Sequence, residues 1–153
     1  KTDRSRIEFR FSIGSACGDI LNYWEPEAPR LGARLESLIV CKQHRITASV
    51  SCEPMLDAMP QRVVEIVRPL IDPVAGSIWI GLPNFLDSRL ALNGQPPNVR
   101  MMGKELMGIF TDQRVRQIYE ALRNDPLIRW KESMKKRIGL ELETRSPGVE
   151  KVA

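Results

Sequence analysis

The sequence predicts an α/β fold with three parallel strands. Residues 7–15 (IEFRFSIGS) and 46–53 (ITASVSCE) alternate apolar and polar side chains, which is typical of strands with one apolar and one polar face. Stretches with helical patterns separate these runs from each other and from residues 77–84 (SIWIGLPN), as in βαβ crossovers. Polar carboxyl ends of parallel strands form the ligand sites of α/β proteins, so the pattern indicates a ligand-binding α/β enzyme.

The first two strands are each followed by a predicted connection. Residues 16–29 contain Gly18, Pro26 and Pro29 and are predicted to be a long loop. Leucines then recur at helical spacing from Leu31 to about His44. After the second strand, residues 63–71 carry an apolar helical stripe that Pro69 is expected to kink or end.

The C-terminal third is predicted to be helical. Residues 87–100 show a weak pattern interrupted by loop residues, and residues 104–110 predict a short helix. Thr111 or Asp112 is a suitable N-cap for the next helix, and Asp125-Pro126 predicts the start of the last one. We therefore expect a helical extension over residues 111–142 and a flexible tail over residues 143–153.

Composition limits the class of protein. The chain has 153 residues, of which 42% are hydrophobic, enough for the core of one domain. No apolar run approaches the roughly 18 residues that span a bilayer, so no membrane partner is expected. Three widely spaced cysteines without a CxxC pair argue against a disulfide framework and fit a cytoplasmic location. A net charge of +4 is compatible with phosphate-bearing partners without requiring them.

The chain opens with Lys1, and a predicted strand follows almost at once. This predicts that the upstream part of a longer protein is missing, with a processed terminus as the alternative. Such a fragment would expose the edge of its first strand, so we expect it to self-associate when expressed alone.

A set of motifs, in a fixed order, resembles a known family. The motifs are FRFSIGS, the WEP loop, SVSCEPMLD, SIWIG and DPLIRWKESMKKRIGL. Together they are similar to the C-terminal half of radical S-adenosylmethionine (radical SAM) proteins, in the branch that includes spore photoproduct lyase-like sequences. The resemblance implies that residues 1–110 form the C-terminal half of a partial (βα)6 TIM-like barrel, with the three strands as its fourth to sixth.

The same resemblance implies two cofactors, S-adenosylmethionine and a [4Fe–4S] cluster. In the family a CxxxCxxC loop binds the cluster, and a 5′-deoxyadenosyl radical abstracts hydrogen from the substrate. This chain has no CxxxCxxC, so the cluster would be bound by the absent N-terminal half, no metal is assigned to this chain, and the isolated chain is expected to be inactive. The substrate and the catalytic residues are not readable.

Four residues at strand ends are implied to bind S-adenosylmethionine. Ser12 and Ser15 belong to the first strand end, and Ser51 and Glu53 to the second. Hydroxyls both donate and accept hydrogen bonds, and a carboxylate accepts two from a ribose diol or an ammonium. The structural alternatives are a strand-end turn for the serines and a salt bridge from Glu53 to Arg10.

Three further residues are candidates for the substrate pocket. Trp24 and Glu25 occupy the predicted loop after the first strand, and Asn84 follows the third strand. Trp24 alternatively plugs the end of the core, and Asn84 alternatively caps a helix.

Other reactive residues have structural interpretations. Cys52 alternates with Val50 on the apolar face, which favours a core cysteine over a radical relay. His44 is the single histidine and cannot supply a zinc site. The basic run from Arg129 to Arg137 is compatible with nucleic-acid phosphates, but we favour a solvated helix face.

Two other functions remain open from the residues. One is a non-catalytic α/β ligand-binding module without an iron–sulfur cluster. The other is an ordinary barrel enzyme with Glu53 as general base. The upstream coding sequence distinguishes the radical enzyme from both alternatives, because a radical enzyme needs an in-frame CxxxCxxC.

Overall fold

The described residues share one parallel sheet. The structure is a computed structural model and describes residues 7–141. Its strands lie in the order β1–β2–β3–β4, and every neighbouring pair is parallel. The strands are β1 (Glu8–Ser12), β2 (Thr47–Cys52), β3 (Ser77–Ile80) and β4 (Ile128–Trp130). The predicted α/β class is therefore confirmed, with a fourth strand added to the predicted three.

Seven α-helices and one 3-10 helix accompany the sheet over residues 7–141. The α-helices are α1 (Gly18–Trp24), α2 (Leu31–Gln43), α3 (Pro60–Val67), α4 (Leu86–Leu92), α5 (Pro97–Ile109), α6 (Asp112–Leu122) and α7 (Glu132–Ile138), and the 3-10 helix is Arg68–Leu70. Helices α2 and α3 contact β2, α7 contacts β4, and α6 packs against α3 and α7. Within residues 7–141 no helix has the length and apolarity needed to cross a bilayer.

The hydrophobic core lies on one face of the sheet. Its strand residues on β2 and β3 are Ala48, Val50, Cys52, Ile78 and Ile80, all buried. They cluster with buried residues of α2, α3, α6 and α7. Because alternate residues of a strand point to opposite faces, the polar residues of the same strands lie on the other face.

Several predicted elements are confirmed. Helix α2 occupies the leucine-rich stretch, and α3 ends in the 3-10 helix that contains Pro69. The N-cap of α6 is Thr111, whose Oγ1 accepts a hydrogen bond of 3.2 Å from the backbone N of Arg114.

The long loop predicted over residues 16–29 is wrong in part, because α1 occupies its first half. Leu21 is 1% exposed, and Ile20 and Trp24 pack against the core. Helical spacing of these three residues was present in the sequence, but Gly18 at the helix start obscured it. Burial of this apolar stripe stabilises a helix too short to persist alone.

The weak region after β3 is also more regular than predicted. Helix α4 and helix α5 form a packed pair, and α5 runs without interruption through both of its glycines. A Cβ at Gly103 would lie 2.6 Å from Cδ1 of Leu90. This glycine therefore permits close helix packing and does not break the helix.

The predicted start of the last helix at Asp125-Pro126 is wrong, because these residues lead into β4 and the last helix begins at Glu132. Asp125 Oδ1 accepts a hydrogen bond of 3.0 Å from the N of Leu127, which forms a local turn. Ile78 N donates to Leu127 O at 2.8 Å, so the segment pairs with β3. Pairing at the free edge of β3 satisfies backbone groups and buries Ile128, which outweighs the local helix pattern.

The predicted helical extension thus contributes a strand as well as helices. β4 lies within residues 111–142 but shares the sheet with the three upstream strands. Met134 of α7 is fully buried, as expected from the pattern of the last helix. Lys1 and the predicted tail over residues 143–153 lie outside the described residues.

Candidate functional site

The face of the sheet opposite the core is lined with polar side chains and one tryptophan. We call it the polar face; its residues are Glu8, Arg10, Ser12, Ser49, Ser51, Glu53, Ser77, Trp79, Arg129 and Lys131. The strand register aligns them, since Ser12 pairs with Ser51, and Ser51 pairs with Trp79. The alternation seen in the sequence therefore continues across four strands.

The N-terminal half of the polar face is filled by its own side chains. Ser49 Oγ donates to Glu8 Oε1 at 2.6 Å, and Arg10 Nε donates to Ser49 Oγ at 3.0 Å. The Arg10 guanidinium lies 4.9 Å from the ring centroid of Trp79, whose Nε1 donates to Ser77 Oγ at 2.9 Å. These mutual contacts leave the carboxyl-terminal half as the part of this face with groups free for a ligand.

The carboxyl-terminal half carries two hydroxyls without a partner in the described chain. Ser12 is exposed, and Ser51 is 6% exposed. Neither side chain makes a hydrogen bond with residues 7–141. Among the described residues, the buried side-chain polar atoms without a hydrogen bond belong to Asp87 and Arg100, so both serine hydroxyls are reached by solvent and are available to a ligand.

Glu53 lies two residues after Ser51, just beyond the end of β2, and contacts two residues that follow β4. Lys131 Nζ is 3.2 Å from Glu53 Oε2, and Ser133 Oγ donates to Glu53 Oε1 at 3.2 Å. Ser133 Oγ in turn accepts a hydrogen bond of 3.0 Å from the N of Leu82. The Glu53 side chain keeps 29% of its surface exposed and has lone pairs left for a ligand.

The salt bridge of Glu53 to Arg10, the alternative considered from the sequence, is not formed. Arg10 instead approaches Glu8 at 3.3 Å, at the other end of the polar face. Glu53 pairs with Lys131, which the sequence had placed on the outer face of a helix. Lys131 lies on the sheet and not on a helix because it directly follows β4, and its backbone N still donates to Ile80 O at 2.9 Å.

Ser15 does not join Ser12, Ser51 and Glu53. It is fully buried, its hydroxyl donates to Asp57, and it accepts a hydrogen bond of 2.9 Å from the N of Cys17. Ser15 therefore lies in the strand-end turn that was its structural alternative, and its hydrogen bond to Asp57 joins the loop after β1 to the loop after β2.

Trp24 and Glu25 both make structural contacts near the end of β1. Glu25 Oε2 is 2.5 Å from NH2 of Arg34, whose side chain is 8% exposed. Arg34 NH1 also donates to the backbone O of Ser12 at 2.6 Å. Trp24 packs against the core and contacts Tyr23 edge to face, with ring centroids 5.1 Å apart. Both residues thus have clear structural contacts at the site's rim.

Asn84 lines a cavity at the carboxyl ends of β2 and β3. The cavity has a volume of about 190 Å³ and is lined by Glu53, Pro54, Leu82, Asn84, Phe85 and Arg89. The side chain of Asn84 does not cap α4, because the N-cap residue is Phe85. The structure therefore brings Asn84 and Glu53, predicted for two different ligands, to one cavity.

Two of the three thiols, those of Cys41 and Cys52, are buried. Cys52 is fully buried, and burial, with a smaller contribution from the charge of Asp57, raises the pKa of its thiol above the ordinary value. The predicted core position of Cys52 is confirmed. Over residues 7–141 no three His, Cys, Asp or Glu side chains are grouped so that they could hold a metal ion.

Lys131, Ser133 and Arg89 are site residues that sequence reasoning missed. The alternation of Ile128 and Trp130 with Arg129 and Lys131 was the available indication of a strand. It spans too few residues to compete with a strong helix-start pattern.

The fold and the site define a parallel α/β protein with a polar sheet face and a cavity at its carboxyl edge. Comparison with protein-family models, with curated proteins and with solved structures finds no match to this chain.

Proposed function

We propose that this chain is the C-terminal half of a radical SAM enzyme core, and that the carboxyl-terminal half of its polar face is a wall of the S-adenosylmethionine site. The proposal rests on the resemblance of the motifs and on one structural observation. Ser12 and Ser51 lie side by side in register with unpartnered hydroxyls, and the Glu53 carboxylate follows on the same face. Sites at the carboxyl ends of parallel strands are common in α/β enzymes.

The donor set of this wall suits a nucleoside. Glu53 can accept hydrogen bonds from a ribose diol, and the two serine hydroxyls can both donate and accept. In this proposal β1, β2 and β3 are the fourth to sixth strands of a partial barrel whose interior is lined by the polar face, and β4 extends the sheet beyond the sixth. The cluster would be bound by a CxxxCxxC in an upstream half, in a reducing cytoplasm, and together with S-adenosylmethionine would supply hydrogen-abstraction chemistry.

Nuclear magnetic resonance titration of the ¹⁵N-labelled chain tests this proposal. The probes are S-adenosylmethionine and 5′-deoxyadenosine, which lacks the amino-acid part. Both are expected to shift the amides of Ser12, Ser51 and Glu53, and the near-isosteric Glu53→Gln should weaken binding about tenfold, since a hydrogen bond to a charged group contributes roughly 1.5–3 kcal/mol.

Glu65→Gln is the matched control, because Glu65 is exposed on α3. Ser51→Ala is a second variant that removes a hydroxyl without removing a charge. Shifts confined to other surfaces, or unchanged affinity in both Glu53→Gln and Ser51→Ala, would show that the polar face is not a nucleoside wall.

A further inference from the structure

The cavity beside Glu53 contains groups that neither the fold nor the cofactor wall uses. Arg89 is exposed, and its guanidinium makes no hydrogen bond or ion pair with the described chain. The side chain of Asn84 is likewise without a partner in residues 7–141. By contrast, Asp87 on the same helix lies 3.5 Å from Arg100 and 3.9 Å from Lys104. Ion pairs therefore form around α4 but leave the cavity side free.

Phe85 stands at the rim of the same cavity in a costly conformation. The residue is 74% exposed, and its backbone has a φ of 56°. The left-handed region costs a bulky residue about 1–2 kcal/mol, and an exposed ring gains little from burial. A smaller residue such as asparagine would fit this position better, so stability does not account for phenylalanine here.

The size of the cavity matches one ring. This cavity is open to solvent on the side of Asn84, Phe85 and Arg89 and has a volume of about 190 Å³, more than the roughly 150 Å³ of an enclosed cavity that accepts benzene, so one ring fits within it. An aromatic rim residue can stack on a planar group, and a guanidinium binds carboxylate or phosphate with two parallel hydrogen bonds. The carboxylate of Glu53, which also lines the cavity, is paired with Lys131, and this limits its repulsion of an anion.

We propose that this cavity binds a single planar ring that bears an oxyanion, either carboxylate or phosphate. Arg89 binds the oxyanion, Phe85 stacks on the ring, and Asn84 makes a hydrogen bond with a polar substituent of the ring. The assignment of this ligand as the substrate rests on the proposed function, since the cavity adjoins the proposed cofactor wall through Glu53. Binding itself does not require that function.

Four small probes test separately whether binding requires a planar ring and whether it requires a negative charge. Benzoate and phenyl phosphate are planar and anionic, cyclohexanecarboxylate is anionic but not planar, and benzamide is planar but neutral. Titration of the ¹⁵N-labelled chain should show shifts of Asn84, Phe85 and Arg89 with benzoate or phenyl phosphate, at affinities at least about fivefold above the other two. The stronger of the two planar anions identifies the oxyanion. Equal affinity for all four probes, or no shift at these amides, would overturn the proposal.

Three variants complete the test. Arg89→Gln and Phe85→Asn should each weaken benzoate binding at least about fivefold, while Arg116→Gln, on an exposed part of α6, should not. Phe85→Asn should also raise the melting temperature, because asparagine tolerates a positive φ. Its loss of binding therefore could not be ascribed to unfolding. Benzoate binding with no S-adenosylmethionine binding would refute the proposed function alone, and the reverse would refute the cavity alone.

Discussion

Glu53 and Lys131 form an ion pair of 3.2 Å that passes over Gly81, the residue that follows β3. A Cβ at Gly81 would lie 2.5 Å from Oε1 of Glu53. The glycine therefore allows a residue after β2 to reach a residue after β4, over the strand between them. This contact ties the C-terminal segment to the proposed cofactor wall.

Gly81→Ala should displace the Glu53 carboxylate from Lys131 and Ser133. Because the added methyl meets the end of a flexible side chain, we expect a loss of only about 0.5–1 kcal/mol in the free energy of unfolding, measured by urea titration, and weaker binding of 5′-deoxyadenosine. Gly32→Ala is the control, because a Cβ there meets nothing within 4 Å and α2 should gain up to about 1 kcal/mol. Equal stability of the two variants would contradict the packing described at Gly81.

Glu25→Ala should destabilise the chain, because it leaves the buried guanidinium of Arg34 without its counter-charge. Loss of one partner from a buried pair costs roughly 3–5 kcal/mol, and we expect about 2–3 because Glu25 is 25% exposed. Glu27→Ala, at an exposed position of the same loop, should change the free energy of unfolding by less than about 0.5 kcal/mol. If Glu25 served only to contact substrate, both variants would unfold at the same urea concentration.

The chain should self-associate through the side of the sheet at β1. β1 is the end strand of the sheet over residues 7–141, and Phe9 and Val40, which line one groove, are 48% and 49% exposed. An apolar groove of about 600 Å³ between β1 and α2 adds to this surface.

Phe9→Lys should weaken self-association about tenfold in sedimentation equilibrium, because it places a charge in the apolar surface. Leu92→Lys is the matched control, since Leu92 is 87% exposed on α4, away from this surface. A monomeric parent chain, or equal effects of both variants, would exclude β1 as the contact.

Cys17 should be the fast-reacting thiol. It is exposed, whereas Cys41 and Cys52 are buried and burial raises the pKa of both thiols. A disulfide reagent at pH 8 should therefore modify one thiol quickly and two only after unfolding, and Cys17→Ser should abolish the fast phase. Rapid modification in Cys17→Ser would show that the sheet opens more readily than its packing implies.

The pKa shift of Cys52 also predicts a pH dependence of stability. The folded state keeps the proton above pH 9.0, the ordinary thiol value, while the unfolded state loses it. The free energy of unfolding should therefore fall as the pH rises above about 9, by at most about 1.4 kcal/mol per pH unit. Cys52→Ala should show a shallower decline in urea titrations at pH 8 to 10.

The α/β class and the shared face of Ser12, Ser51 and Glu53 were predictable from the sequence. Both depend on the alternation of side chains along a strand, which is a local property of the backbone. The N-cap at Thr111 was predictable for the same reason, because a cap is made within one turn of its own helix.

Tertiary structure alone decided how distant segments meet. The free edge of β3 converts Ile128 and its neighbours from predicted helix to strand, and this places Lys131 beside Glu53. Ser15 is drawn to Asp57, and Arg89 is brought to the cavity, by contacts between segments far apart in the chain. Such pairings depend on which sheet edges and loops adjoin in space, and no local periodicity encodes that.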